Sequence, residues 1–97
     1  MAKGYWVVAY HAVNDEEKLG AYLELASPTV QAAGGRFLAR GLPTQVHEAG
    51  VLDRTVLVEF PSVEVAVECH DSEGYQAALA ALGDGATRDL RIIEGVE

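Results

Sequence analysis

The sequence predicts an α+β domain with the order β-α-β-β-α-β, in which one four-stranded antiparallel sheet carries two helices on one face. Three observations predict it. Four runs rich in aromatic and β-branched residues read as strands. Two longer stretches between them repeat apolar residues at helical spacing. The 97 residues suffice for one hydrophobic core and not two, so residues 1–97 read as a single domain.

Tyr5 to Ala12 (YWVVAYHA) is the first strand. Asn14 follows as a helix cap, with Glu17 three residues on to complete a capping box. Asp15 and Glu16 add negative charge where the helix dipole favours it. Leu19, Tyr22, Leu23, Ala26, Val30 and Ala33 then share one helical face. Ser27-Pro28 reads as a fresh cap and first-turn proline, predicting a kink or a restarted helix there. Gly34-Gly35 ends the helix by supplying a left-handed turn.

Arg36 to Gly41 (RFLARG) is the second strand. Leu42-Pro43 interrupts it, Thr44 to Glu48 resumes an extended pattern, and Ala49 to Asp53 turns the chain. Arg54 to Phe60 (RTVLVEF) is the third strand, with Val56, Val58 and Phe60 on one face. Pro61-Ser62 stops it and starts a helix. Val63, Ala66, Val67 and His70 form one apolar stripe. Tyr75, Ala78, Leu79 and Leu82 form another after a break at Asp71-Ser72, where Ser72 caps anew. Gly83 to Gly85 is a loop, and Asp89 to Glu94 (DLRIIE) is the last strand. Each βαβ crossover is right-handed, so the two halves interlock in the ferredoxin-like arrangement.

A formal charge of −8, from 15 acidic and 7 basic residues, excludes nucleic acid as a partner, because phosphates need a basic surface. It equally disfavours anionic membrane surfaces. No apolar run approaches the roughly 20 residues of a membrane span. The start of the chain carries no signal-peptide pattern, and Cys69 is the only cysteine, so no disulfide forms within the chain and the expected location is the cytoplasm. So short a chain buries only about two-thirds of its unfolded surface. With no disulfide and no metal spacing, a second copy is the remaining source of stability. Trp6, Val8 and Tyr10 alternate with Tyr5, Val7 and Ala9, so the first strand is apolar on both faces, as a doubly covered strand should be. Leu38 and Leu57 extend the outer face, which predicts a homodimer packed through its open sheet faces. The competing arrangement folds the 42–53 loop over that face within one chain.

Strict alternation places Phe37 and Ala39 toward the helices, and Arg36, Leu38 and Arg40 on the open face with Thr55, Leu57 and Glu59. Arg54 falls on the Val56 side but sits at the strand entrance, where it can reach solvent. Arg40 and Glu59, with Arg36, then meet across neighbouring strands. They are either a register-fixing ion pair or arginines that grip a carboxylate in bidentate fashion. His11 ends the first strand, and it or Glu59 is the candidate proton-transfer group. Tyr75 reads as a core aromatic whose hydroxyl reaches Asp71, and as a candidate ligand contact. His47 lies on the loop and His70 packs on a helix. The histidines lack any HxH or HExxH spacing, so no metal is expected. Cys69 is an inert buried thiol. Ser62 and Ser72 are caps without a GxSxG setting. No glycine pattern cradles a phosphate, and no cofactor motif is present.

GYWVV, GGRFLARG, VLVEFPS, DSEGYQAAL and RIIEG, in that order over nearly the whole chain, resemble the family of unknown function DUF 1330. The resemblance implies a ferredoxin-like, dimeric α/β-barrel fold and no assigned activity. Relatives by fold include small monooxygenases, isomerases and cyclases, but fold does not imply function. His70 stands where the family pattern has an aromatic such as tyrosine, and Gly83 stands near a usual arginine. Two function classes follow. In one, a cofactor-independent protein binds or converts a small organic acid or carbonyl compound, with Arg36 and Arg40 holding the anion and His11 or Glu59 moving a proton. In the other, a non-catalytic dimer uses Arg40 and Glu59 as a cross-strand lock. Two arginines against one glutamate leave a spare cation, which favours a small anionic metabolite as partner.

Overall fold

The computed structural model describes residues 2–97. Its elements are β1 (Gly4–Val13), α1 (Glu16–Ala32), β2 (Arg36–Gly41), β3 (Thr55–Phe60), α2 (Val63–Asp71), α3 (Glu73–Leu82) and β4 (Ala86–Glu94). The strands pair antiparallel in the order β2-β3-β1-β4, the ferredoxin-like topology the element order predicts.

The helix side of the sheet carries Trp6, Val8 and Tyr10 of β1 and Val56, Val58 and Phe60 of β3, all buried. They pack against Leu19, Tyr22, Ala26 and Val30 of α1, and against Ala66, Cys69, Tyr75, Ala78 and Leu82 of α2 and α3. Trp6 is the hub. Its ring centroid lies 5.0 Å from Phe60 and 4.9 Å from Tyr75, and its indole N–H donates to the Ala66 carbonyl at 3.0 Å. A buried Trp needs such an acceptor, and the last-named bond supplies it.

The cap of α1 is Asp15 rather than the expected Asn14. Asp15 Oδ1 accepts from the Glu17 and Lys18 amides. The Asn14 amide instead donates to Asp84 O and Thr87 Oγ1, tying the end of β1 to the start of β4. Of the kink or restart expected at Pro28, the restart does not occur: α1 runs through it without a break. Pro28 is exposed, so the carbonyl one turn back that loses its donor can turn to water instead of being stranded in the core. Gly34, at φ +91°, makes the left-handed turn that ends α1. Gly35 must also stay bare, since a Cβ there would lie 2.6 Å from Val30 Cγ1.

The break in the second helix falls where expected. Ser72 Oγ accepts from the Tyr75 amide and donates to the Cys69 carbonyl, closing α2 and opening α3 with one side chain. Ser72→Ala removes both bonds. It should cost about 1 kcal/mol, a fall in melting temperature of roughly 4–8 °C for a domain of this size, read by thermal denaturation.

Thr44 to Glu48 is not a strand. Residues 42–54 form a loop, because Leu42-Pro43 leads the chain away from the sheet and these residues have no strand beside them to pair with. Within the loop, Leu42, Val51 and Leu52 are exposed. β4 begins three residues earlier than expected, at Ala86, which brings Arg88 into the sheet opposite Tyr10.

Candidate functional site

Two irregularities in the ladders decide where the charged side chains go. In β2, Phe37 pairs with Val58 but Ala39 pairs with Leu57, so Leu38 is an extra residue in the strand. A bulge of this kind reverses the facing of every residue beyond it. Arg36, before the bulge, stays on the open face opposite Glu59. Arg40, after it, pairs with Val56 and turns to the helix side, its guanidinium 4.4 Å from the Phe37 ring centroid. The expected Arg40–Glu59 pair therefore does not form. Glu59 is held instead by Arg36 Nη2 at 3.3 Å, Lys3 Nζ at 3.8 Å and the Tyr5 hydroxyl at 3.3 Å. Its carboxylate thus faces two cations and a hydroxyl. In β1, His11 is the extra residue where Tyr10 and Ala12 pair with consecutive residues of β4. Its Nε2 lies 2.8 Å from Asp89 Oδ2, and Asp89 Oδ1 also takes Arg91 Nε at 3.3 Å.

The candidate residues thus divide between the two sides of the sheet. His11, Arg36 and Glu59 lie on the open face, whereas Arg40 and Tyr75 lie on the helix side. Tyr75 does not reach Asp71, which pairs with His70 at 2.9 Å. The Tyr75 hydroxyl instead meets the Tyr22 hydroxyl at 2.7 Å, and Arg88 spans the two, Nη1 to Tyr22 at 3.1 Å and Nη2 to Tyr75 at 3.0 Å. Arg88 also lies 4.6 Å from the Tyr22 ring centroid and 5.4 Å from that of Tyr10, in cation–π contact. Burial pushes the Tyr22 and Tyr10 phenols up from their ordinary values, so both remain protonated at neutral pH. The phenols around Arg88 outweigh the burial that opposes its charge, and its guanidinium is held the more firmly protonated.

Beside this cluster, between sheet and α1, is a cavity of about 30 Å³ partly open to solvent. That is room for one or two waters. Arg40, Arg54 and Arg88 all line it, with Tyr10 and Tyr22, and the rest of the wall is mainly apolar. No carboxylate, histidine or lysine lines it. Among the described residues no ion pair reaches any of these three arginines, and Arg54 Nε is buried with no hydrogen-bond partner. The sequence expectations leave both Arg54 and Arg88 out of the candidate site, Arg54 because it sits at the strand entrance and Arg88 because it precedes the expected last strand. Period-2 alignment with Val56 and with Leu90 and Ile92 places both on the helix side.

A second hollow, about 260 Å³, lies on the open face between Val7, Ala9 and Asp89 of the sheet and Ala49 to Val51 of the loop, with His11 at its edge. The loop therefore reaches only one end of that face. Tyr5, Val7 and Leu57 remain half-buried and Ile93 exposed. Cys69, buried in apolar surroundings, has its thiol pushed up to about 11 and is no nucleophile at neutral pH. Among the described residues no group of three His, Cys, Asp or Glu side chains could hold a metal ion, and no helix is long and apolar enough to cross a membrane.

The same fold occurs in solved structures of low sequence identity. A protein of unknown function from Rhodopseudomonas palustris superposes with a TM-score of 0.76 at 16% identity, covering 99% of this chain and 84% of that one. A putative antibiotic biosynthesis monooxygenase from Caulobacter crescentus gives 0.63 at 23% identity, covering 99% and 91%. A dimeric ferredoxin-like protein of unknown function from Thermobifida fusca gives 0.62 at 17% identity, covering 99% and 92%. No curated protein matches the chain. The family model described as "Domain of unknown function (DUF1330)" matches residues 3–96, nearly the whole sequence, and the chain belongs to that family.

Proposed function

We propose that the protein is a homodimer whose subunits each bind a small organic anion at the arginine-lined, solvent-open mouth of the cavity between sheet and α1. The observation that carries this reading is the convergence of Arg40, Arg54 and Arg88 on a lining without a carboxylate, with no ion pair to any of the three among the described residues. Positive charge gathered without a counter-ion is costly, and an anionic ligand supplies the opposite charge. The lining offers donors and positive charge but no proton-accepting side chain. Its chemistry is the binding and stabilisation of negative charge, which needs no cofactor. His11 and Glu59 lie across the sheet from it and take no part.

Association through the open sheet faces is supported by the half-covered Tyr5, Val7, Ala9 and Leu57 and by the dimeric neighbour from T. fusca. The alternative class, a structural dimer with a cross-strand lock, keeps its lock in Arg36–Glu59. It leaves the unpartnered arginine unexplained.

The test is a thermal-shift screen with acetate, propionate, butyrate and benzoate at constant ionic strength. At tenfold excess over Kd a ligand stabilises by about 1.4 kcal/mol, a rise of roughly 5–10 °C for a domain this size. No shift from any carboxylate would sink the proposal.

A further inference from the structure

The bulge in β1 puts a histidine, a carboxylate and an arginine in series beside the open-face hollow. His11 is the residue that the β4 ladder skips between Tyr10 and Ala12, and a skipped residue escapes the pairing that fixes its neighbours. Asp89 and Arg91 stand two apart on β4, opposite Ala9 and Val7, so they share the open face. Asp89 Oδ2 lies 2.8 Å from His11 Nε2, and its Oδ1 lies 3.3 Å from Arg91 Nε. Both carboxylate oxygens are engaged, and the histidine is oriented by a group that is itself held. Proton-transfer histidines are prepared by this series of contacts.

The proton in the first bond can be placed from what each partner holds. A carboxylate only accepts, so that proton belongs to Nε2. In the neutral ring Nδ1 then keeps its lone pair. Nδ1 has no hydrogen-bond partner among the described residues. Arg91 spends only Nε on Asp89, and its Nη1 and Nη2 are likewise without a partner among those residues. A proton acceptor and a two-pronged cationic donor thus line one hollow of about 260 Å³. Its sheet floor, Val7 and Ala9, carries no side chain larger than valine, and the loop residues Ala49 to Val51 wall the far side. A second copy on the open face would add a roof.

We infer that this hollow takes a small 2-oxo carboxylate, and that His11 Nδ1 removes a proton from the carbon beside its carbonyl. The carboxylate and carbonyl oxygens of such an acid lie side by side and match the two Nη donors of Arg91. As Nδ1 takes the proton, the C–H electron pair becomes a C=C bond. The carbonyl pair moves onto oxygen, where the guanidinium meets the enolate charge. Return of the proton to the same carbon restores the acid, so the step balances without a co-reactant. His11 is the catalytic residue, Arg91 binds the oxygens, and Asp89 is a positioning residue. None of the arginines around the sheet–α1 cavity takes part, so this inference and the anion reading stand or fall separately.

The experiment follows pyruvate and 2-oxobutyrate by proton NMR in heavy water near neutral pD, with the full-length protein. Wild type should exchange the protons beside the carbonyl for deuterium roughly a hundredfold faster than buffer, the lower range of general-base catalysis. His11→Ala should fall to the buffer rate, and added imidazole should restore part of the loss. Arg91→Gln should raise the half-saturating pyruvate concentration roughly tenfold to a hundredfold, the loss of a charged hydrogen bond. Asp89→Asn should slow exchange about tenfold or more, and nitrogen-15 NMR should show the His11 proton leaving Nε2 for Nδ1, because an amide can donate to Nε2 where a carboxylate cannot. Wild type that exchanges neither acid faster than buffer overturns the inference. Undiminished exchange in His11→Ala, or a folded His11→Ala that imidazole does not rescue, removes His11 as the base. A wild-type rate in Asp89→Asn removes its positioning role. Should His11→Ala fail to fold, nitrogen-15 NMR of wild type decides: a neutral ring with its proton on Nδ1 overturns the assignment.

Discussion

Arg54→Met should stabilise the free protein and abolish its response to carboxylates. Both effects follow from one side chain, whose Nε is stranded and whose charge lines the cavity. Arg54 Nε is a buried donor of a charged group with no acceptor, and methionine occupies similar space without a polar atom to strand. Its backbone bonds, from its amide to Asp53 Oδ1 and from the Tyr10 amide to its carbonyl, do not depend on the side chain. An unsatisfied buried donor costs about 1–3 kcal/mol. Arg54 is half-exposed, so the lower figure applies, a gain of roughly 4–8 °C in melting temperature. A hydrogen bond to a charged ligand is worth about 1.5–3 kcal/mol. Its loss weakens binding by roughly tenfold to a hundredfold, beyond the range of a millimolar thermal-shift assay for a weak ligand. A residue kept for stability would behave oppositely. If Arg54→Met melts lower and still responds to butyrate, the arginine is structural and the cavity is not an anion site.

The placement of these groups shows where sequence reasoning reaches and where it stops. Alternation alone puts Val56, Val58 and Phe60 in the core, because an uninterrupted strand obeys a strict period of two. The double helix with its joint at Ser72 was equally legible, since a cap is a local device. Arg40 was not. The extra residue in β2 lies in Phe-Leu-Ala, with no glycine or proline to mark it. A bulge is set by how the strand meets its neighbour, which alternation within one strand cannot register. One unmarked residue moved an arginine from one side of the sheet to the other and replaced the Arg40–Glu59 pair with Arg36–Glu59. Arg88 escapes the sequence because the DLRIIE pattern starts β4 only at Asp89. Alternation places Arg54 on the correct side, but its place at the strand entrance makes it look free to reach solvent. Tyr22 and Tyr75 read as members of apolar helical stripes, and they are. Their hydroxyls meet because α1 and α3 lie side by side on the sheet, a contact between residues 53 positions apart that no local pattern encodes.

Leu57→Glu should convert the proposed dimer to monomers. Leu57 sits on the open face of the central strand pair, opposite Val7 on β1 and Ala39 on β2, with Tyr5 and Ala9 on the same face. In an isolated subunit this face meets water, and a glutamate there is cheap. In a dimer joined through the face, each subunit would press an unpaired carboxylate into apolar surroundings close to its symmetry mate. The cost is several kcal/mol per desolvated charge, and it is incurred twice. A loss of 4 kcal/mol or more corresponds to roughly a thousandfold weaker association, enough to dissociate a micromolar dimer. Arg36 and Lys3 offer little rescue, since both already serve Glu59. Because so short a chain buries little surface alone, the freed subunit should also melt at a lower temperature. Val67→Glu supplies the control, for Val67 is an exposed residue of α2, remote from the open face, and should leave the dimer intact. Light scattering at micromolar concentration separates the outcomes. A dimer that survives Leu57→Glu, or wild type that is itself monomeric, would remove the open face as the interface. The apolar outer side of β1 would then have to be covered by the 42–53 loop of its own chain.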